Sequence, residues 1–289
     1  MSIPRNIEKI INPPEFHWVG DGFRVHNFIP AVNGLSMERM SPFILLDYHS
    51  PYYYSPTDKP RGVGVHPHRG LETVTIAYSG MVSHNDSRGG GGTIFEGDVQ
   101  WMTAGNGVLH KEFHEKEWSK QGGEMHMVQL WTNLTAKDKK SPAKYQALQN
   151  ADIPRYNFDG VEVEVIAGSF NEIKGAASTF TPINLYNLKL QADSSLELNL
   201  PRNYNTALLV VKGGITVNGQ SIAVDNFVLM ANDGEQFSVS TTDGAIVLVM
   251  SGEPINEPIA ARGPFVMNTK EELAEAYNDF YAGKYGYLE

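Results

Sequence analysis

Two short signatures, His66-Pro67-His68 and His110-Lys111-Glu112, place ligand-type side chains at positions i and i+2. On a β-strand such pairs point to the same face, about 6.5 to 7 Å apart. Two strands of this kind laid side by side would aim three imidazoles and one carboxylate at a single point, which describes a metal site. Zinc, iron, nickel, copper, cobalt and manganese all accept a mixed nitrogen and oxygen set, and affinity order alone does not choose among them. The 289 residues contain no cysteine. Thiolate sites, cysteine nucleophiles and disulfide frameworks are thereby excluded, and a closed structural zinc, which mostly recruits cysteine, is disfavoured.

The flanking residues predict strands. Thr73 to Tyr78 is rich in β-branched residues, Ser79-Gly80 breaks it, and Met81-Val82-Ser83 resumes it as a hairpin would. Helical i, i+4 ligand spacing is absent. Gly89 to Gly92 lacks the Lys-Ser/Thr pair and the helix N-terminus of a phosphate cradle, so it is expected to be a hairpin tip. Phe23 to Ile29, Pro42 to Tyr48 and Met125 to Trp131 also predict strands. In the last of these, His126, Val128 and Leu130 oppose Met127, Gln129 and Trp131. Strand position nominates Phe43, Leu45 and Met125 as pocket lining. Tyr52-Tyr53-Tyr54 is expected to pack beneath a loop. Of the other histidines (His17, His26, His49, His84, His114 and His126), none stands out: His84, beside a turn, is expected to face solvent, and His126 to be a hydrogen-bonded core residue.

Residues 136 to 160 change character, with four lysines and two prolines, and predict a junction. Beyond it, strands are expected at Val161 to Ala167, Asn184 to Leu190, Ala207 to Val211, Ile222 to Met230 and Ala245 to Met250. Gly213-Gly214, Asn218-Gly219, Asp233-Gly234 and Asp243-Gly244 supply hairpin-type turns between them. The expected architecture is all-β, with two tandem barrel domains over 1–140 and 141–289. All nine histidines lie between His17 and His126, so only the first domain is expected to hold metal. Thr269 and Glu272 form a capping-box pattern ahead of Leu273, Ala276, Tyr277 and Phe280, and Gly283 supplies a stop; a short C-terminal helix follows from these.

The formal net charge of −10 opposes direct nucleic-acid binding, and the lysines at 137, 139, 140 and 144 are expected to form a solvated face. No apolar run reaches the ~18 to 20 residues that span a bilayer, so no membrane role is expected. Met1 to Asn6 lacks the apolar core of a secretory signal. A cytoplasmic location is the expectation.

The run from His66 to Val74, then Gly97-Asp98-Val99-Gln100-Trp101-Met102-Thr103-Ala104-Gly105, then His110-x-Glu112, resembles the pirins, a branch of the cupin superfamily. Pro42 to Asp47 and Gly263 to Asn268 are similar to pirins as well. The resemblance implies a bicupin of jelly-roll type and Fe(II) as the first metal, with Cu, Ni, Mn, Co or Zn as alternatives. It also implies ligation by His66, His68, His110 and Glu112. The general cupin pattern would instead recruit Glu72, which requires the chain to bend at Gly70; Glu72 is retained as a carboxylate supporting the ligands. Two functions are implied. One is a quercetin 2,3-dioxygenase that cleaves a flavonol with O2, with Glu112 as general base. The other is a metal-containing regulatory protein that contacts transcription factors.

Overall fold

A computed structural model describes residues 2–289. The chain forms two compact units, and they are not divided at 140/141 as expected. One contains residues 15–38, 43–150 and 255–289; the other contains the stretch up to Pro14, Arg39–Pro42 and Ala151–Pro254. Strand pairing explains the exchange. Strand β1 (Ile7–Ile11) is an edge strand bonded antiparallel to Phe227–Met230, while the C-terminal residues pack with the histidine-bearing unit.

In the second of these units, β1 opens a seven-stranded sheet that continues through Phe227–Met230, Asn205–Lys212, Ala245–Gly252, Ile183–Leu190, Val161–Ala167 and Arg155–Phe158. A four-stranded sheet contributes Leu198, Val217, Phe237 and Val239 to the same core as Val163, Leu188, Val210 and Val247. This is the double-sheet arrangement of a jelly roll. The expected strand from Ile222 to Met230 is interrupted, because Asp225 adopts a left-handed φ of 66° between two shorter strands.

The histidine-bearing unit repeats the scheme. Its strands are β2 (His17–Val19), β3 (Phe23–Ile29), β4 (Phe43–Tyr54), β5 (Gly62–His68), β6 (Leu71–Ser79), β7 (Val82–Asp86), β8 (Gly91–Ile94), β9 (Val99–Thr103), β10 (Val108–His114), β11 (Gly123–Asn133) and β12 (Lys144–Leu148). One sheet runs β12-β9-β6-β11-β4-β3-β2 and the other β5-β10-β7-β8. Period-two burial is clear along β10, where Val108, His110, Glu112 and His114 are buried and the residues between them only partly so. The Gly89–Gly92 stretch does turn a hairpin: Asp86 Oδ1 accepts from the backbone N–H of Arg88 and Gly90, and β8 starts at Gly91. Strand β4 runs on through the tyrosine triplet, which leaves Tyr52 and Tyr53 exposed and buries Tyr54.

The C-terminal segment is fastened to the turn that follows His68. Gly70 takes φ +79° there, and a Cβ would meet the Val266 carbonyl. The buried Arg69 guanidinium donates to Asp279 (2.7 Å) and Glu275 (2.9 Å). Lys139 Nζ, also buried, donates to the Gly70 carbonyl, the Val266 carbonyl and Asn133 Oδ1 at 2.7 to 2.9 Å. Burial pushes this amine down to about 7, yet three acceptors match the three protons of an ammonium. The helix Lys270–Tyr281 carries the expected capping box, with Thr269 and Glu272 each bonding the other's backbone. Leu273, Ala276, Tyr277 and Phe280 pack on Phe265 and Tyr285. Thr269→Ala should cost about 1 kcal/mol. Hydrogen exchange should then be about fivefold faster at the amides of the first helical turn; an unchanged rate would show that the cap contributes nothing.

Candidate metal centre

Strands β5 and β10 pair antiparallel, with His110 directly opposite His66 and Val108 opposite His68. Between His110 and Glu112 the register shifts, because Gly64 and Val65 together oppose Lys111. This bulge turns the Gly64 carbonyl to His66. The three imidazoles converge: ring centroids lie 4.2 Å apart for His66 and His110, 4.7 Å for His68 and His110, and 5.0 Å for His66 and His68. One ligating atom from each lies within 4.8 Å of the other two.

Hydrogen bonds fix which nitrogen of each ring is offered. His66 Nδ1–H donates to the Gly64 carbonyl at 2.8 Å, and His68 Nδ1–H to the Pro264 carbonyl at 3.2 Å. His110 Nδ1 lies 3.4 Å from His84 Nδ1, which also receives the Gln100 amide at 3.0 Å. With His84 Nδ1 as the acceptor of both, His110 carries its proton on Nδ1 as well. All three rings therefore keep a lone pair on Nε2, as ring nitrogens tied from behind do at metal sites. His110 Nε2 is buried without a hydrogen-bond partner, and so is Glu112 Oε1. An orphaned base and an orphaned carboxylate oxygen in one site fit a bound cation. Burial, reinforced by the neighbouring imidazoles, pushes His68 down to about 3 and His110 well below its ordinary value. Both are held neutral, the form in which imidazole ligates.

Glu112 lines the same cavity as the three histidines. Its close grouping is with His110 and His84, and His84 Nδ1 lies 3.9 Å from Glu112 Oε1. His84 corrects the expectation of a solvent-facing residue: it is 0% exposed, pairs across β7 and β10 with Glu112, and stacks on Tyr145 at 5.2 Å. Burial alone would lower it, but Asp86 and Glu112 outweigh burial and raise it. At 3.9 Å neither carboxylate is in hydrogen-bond range, so this is charge attraction through space. The alternation of Val82, His84 and Asp86 was the one signal in the sequence that could have found it. Glu72 goes elsewhere. The chain does bend at Gly70, but each Glu72 oxygen accepts from a threonine hydroxyl, Thr103 (2.8 Å) and Thr132 (3.0 Å), and Glu72 belongs to neither ligand group. His126 meets its expectation, bonded to the Tyr48 hydroxyl at 3.0 Å. Among the described residues, both groups able to hold a metal lie in this unit.

The centre opens on a partly open, largely apolar cavity walled by Val19, Phe23, Val25, Val63, Met127 and Trp131. From β4 it receives Asp47 and His49 rather than Phe43 and Leu45, and from β11 Met127, Gln129 and Trp131 rather than Met125. The expected strands do line it, further along their length.

The Pirin family model matches residues 22–132, and the Pirin C-terminal cupin domain matches 185–286. The chain belongs to the pirin family. Both units of this pirin are thus cupin domains, and the first match contains all four residues singled out from the sequence. A Pseudomonas aeruginosa protein provisionally named quercetin 2,3-dioxygenase is 43% identical over 93% of this chain and 94% of its own. Pirin-1 of Arabidopsis thaliana is 35% identical over 99% and 96% of the two chains. A crystal structure of quercetin 2,3-dioxygenase from Acinetobacter baumannii superposes with a TM-score of 0.92 at 47% identity, covering 99% of each chain. Among the described residues, no helix is long and apolar enough to cross a membrane.

The cavity wall has its own pH dependence. Burial holds His49 down to about 4, below its unfolded value of about 6.5. The unfolded chain therefore binds the extra proton between pH 6.5 and 4, and the stability present above pH 6.5 is lost as pH falls through 4. The difference in unfolding free energy between pH 7.5 and 4.5 should shrink in His49→Gln by on the order of 2 kcal/mol. An unchanged difference by denaturant titration would mean that His49 charges freely in the folded protein.

Proposed function

We propose that this pirin holds one divalent metal ion, Fe(II) in the first instance, through Nε2 of His66, His68 and His110 and a carboxylate oxygen of Glu112, and that it is a dioxygenase cleaving flavonols such as quercetin with O2. The observation that carries the proposal is the triad of imidazoles, each tied back through Nδ1, at one end of an apolar cavity. Relatives and a structural neighbour named for quercetin 2,3-dioxygenase support the substrate class. With an N3O ligand set, a bound metal keeps positions open and supplies redox-active Lewis acidity at the cavity floor.

The protein's own part is positional and protonic. Glu112, with Oε1 unpartnered, takes the proton of the flavonol 3-hydroxyl as general base. His84, whose Nδ1 accepts from His110, fixes the His110 tautomer. Phe23, Met127 and Trp131 offer apolar faces to the planar ligand and exclude water from the centre. Ring cleavage with release of carbon monoxide completes the reaction. The protein is taken as cytoplasmic, without nucleic-acid or membrane partners, in keeping with its −10 charge.

Protein reconstituted in turn with iron, copper, nickel and manganese should release carbon monoxide from quercetin and O2, and His110→Ala should abolish the release. Absence of turnover with every metal, alongside intact folding and stoichiometric metal, would favour a metal-containing regulatory module that binds transcription factors. Metal analysis of two further variants tests the carboxylate. Glu112→Gln should weaken retention at least tenfold, whereas Glu72→Gln should keep its metal; the reverse order would return the ligand role to Glu72.

A further inference from the structure

The inner face of the large sheet carries a row of polar residues through otherwise apolar surroundings. Asn27 on β3 pairs with Asp47 on β4, Asp47 with Gln129 on β11, Gln129 with Thr75 on β6, and Thr75 with Gln100 on β9. The row ends at the metal centre, where the Gln100 amide meets His84. Two of its members, Asp47 and Gln129, line the cavity, and each is held from behind. Asn27 Nδ2 donates to Asp47 Oδ1 at 2.6 Å, and the Thr75 hydroxyl donates to Gln129 Oε1 at 2.7 Å. Among the described residues, no protein group bonds Asp47 Oδ2 or Gln129 Nε2. The cavity is thus offered one fixed acceptor and one fixed donor on neighbouring strands. Unpaired polar groups in an apolar cavity are unfavourable unless a ligand uses them.

A hydroxyl group satisfies both at once, since it donates to a carboxylate and accepts from an amide. Asp47 and Gln129 sit on the larger sheet, whereas His66, His68 and His110 sit on the smaller one. Trp131, whose ring contacts that of His68 at 4.9 Å, lies two residues beyond Gln129 on the same strand, a step of about 7 Å. That separation accommodates at least one aromatic ring. We propose that Asp47 and Gln129 are specificity-determining residues that select aromatic ligands carrying a second hydroxyl, remote from the one at the metal. The proposal rests on the ligand assignment made above and narrows its substrate class to polyhydroxylated aromatics.

Binding to protein loaded with zinc, which undergoes no redox chemistry, tests it in two ligand series, each with and without the remote hydroxyls. One compares quercetin with 3-hydroxyflavone, and the other 2,7-dihydroxynaphthalene with 2-naphthol. The native protein should prefer the more hydroxylated member roughly tenfold, the value of one charge-assisted hydrogen bond. Asp47→Asn, which presents a donor where the acceptor was, and Gln129→Leu should each lose that preference while keeping zinc and thermal midpoint. Gln129→Leu strands the Thr75 hydroxyl; if it does not fold, the isosteric Asp47→Asn decides alone. Preference retained in Asp47→Asn, or absent from the native protein in both series, would overturn the inference. An Asp47-dependent preference among naphthols without any quercetin binding would leave the pair standing and remove the flavonol reading. Quercetin turnover without that preference would do the opposite.

Discussion

Three imidazoles cannot be packed against one another unless each has somewhere to put its proton, and this constraint governs the histidine-bearing unit. The antiparallel pairing of β5 and β10 brings the rings within 4.2 to 5.0 Å. A protonated ring at that distance from two others would be both desolvated and repelled. Each proton instead sits on Nδ1 and is given to an acceptor: a carbonyl on the same strand, a carbonyl near the C-terminus, and a fourth imidazole. The bulge at Gly64 and Val65, the docking of the C-terminal segment and the burial of His84 are all parts of this one arrangement.

Seen this way, the C-terminal residues belong to the centre although they lie about as far from it in sequence as the chain allows. Pro264 supplies the carbonyl for His68. Immediately beyond His68, Arg69 grips Asp279 and Glu275, and Gly70 and Val266 share the Lys139 ammonium. The capped helix serves as the anchor for those carboxylates. A ring whose orientation depends on contacts across 196 residues is positioned by the whole unit rather than by its own strand.

The convergence of His66, His68 and His110 was legible because i, i+2 spacing on a strand is a local property, and so was the capping box at Thr269 and Glu272. The histidine asymmetry likewise forecast which cupin domain could hold a metal. What escaped was set by pairing between distant strands. His84 looked like a turn residue, and only the β7–β10 register places it opposite Glu112. The division of the chain was hidden for the same reason, since nothing in Ile7–Ile11 announces that its partner is Phe227–Met230. The cavity wall was found on the right strands and displaced along them.

A single metal position is expected between the Nε2 atoms of His66, His68 and His110 and the carboxylate of Glu112. Anomalous diffraction from a metal-loaded crystal measures this most directly. One peak about 2.0 to 2.2 Å from all three Nε2 atoms, with a Glu112 oxygen at similar range, is the predicted result. A peak coordinated by His84 and Glu112 with His66 and His68 left unligated, or a peak within the other cupin domain, would contradict it.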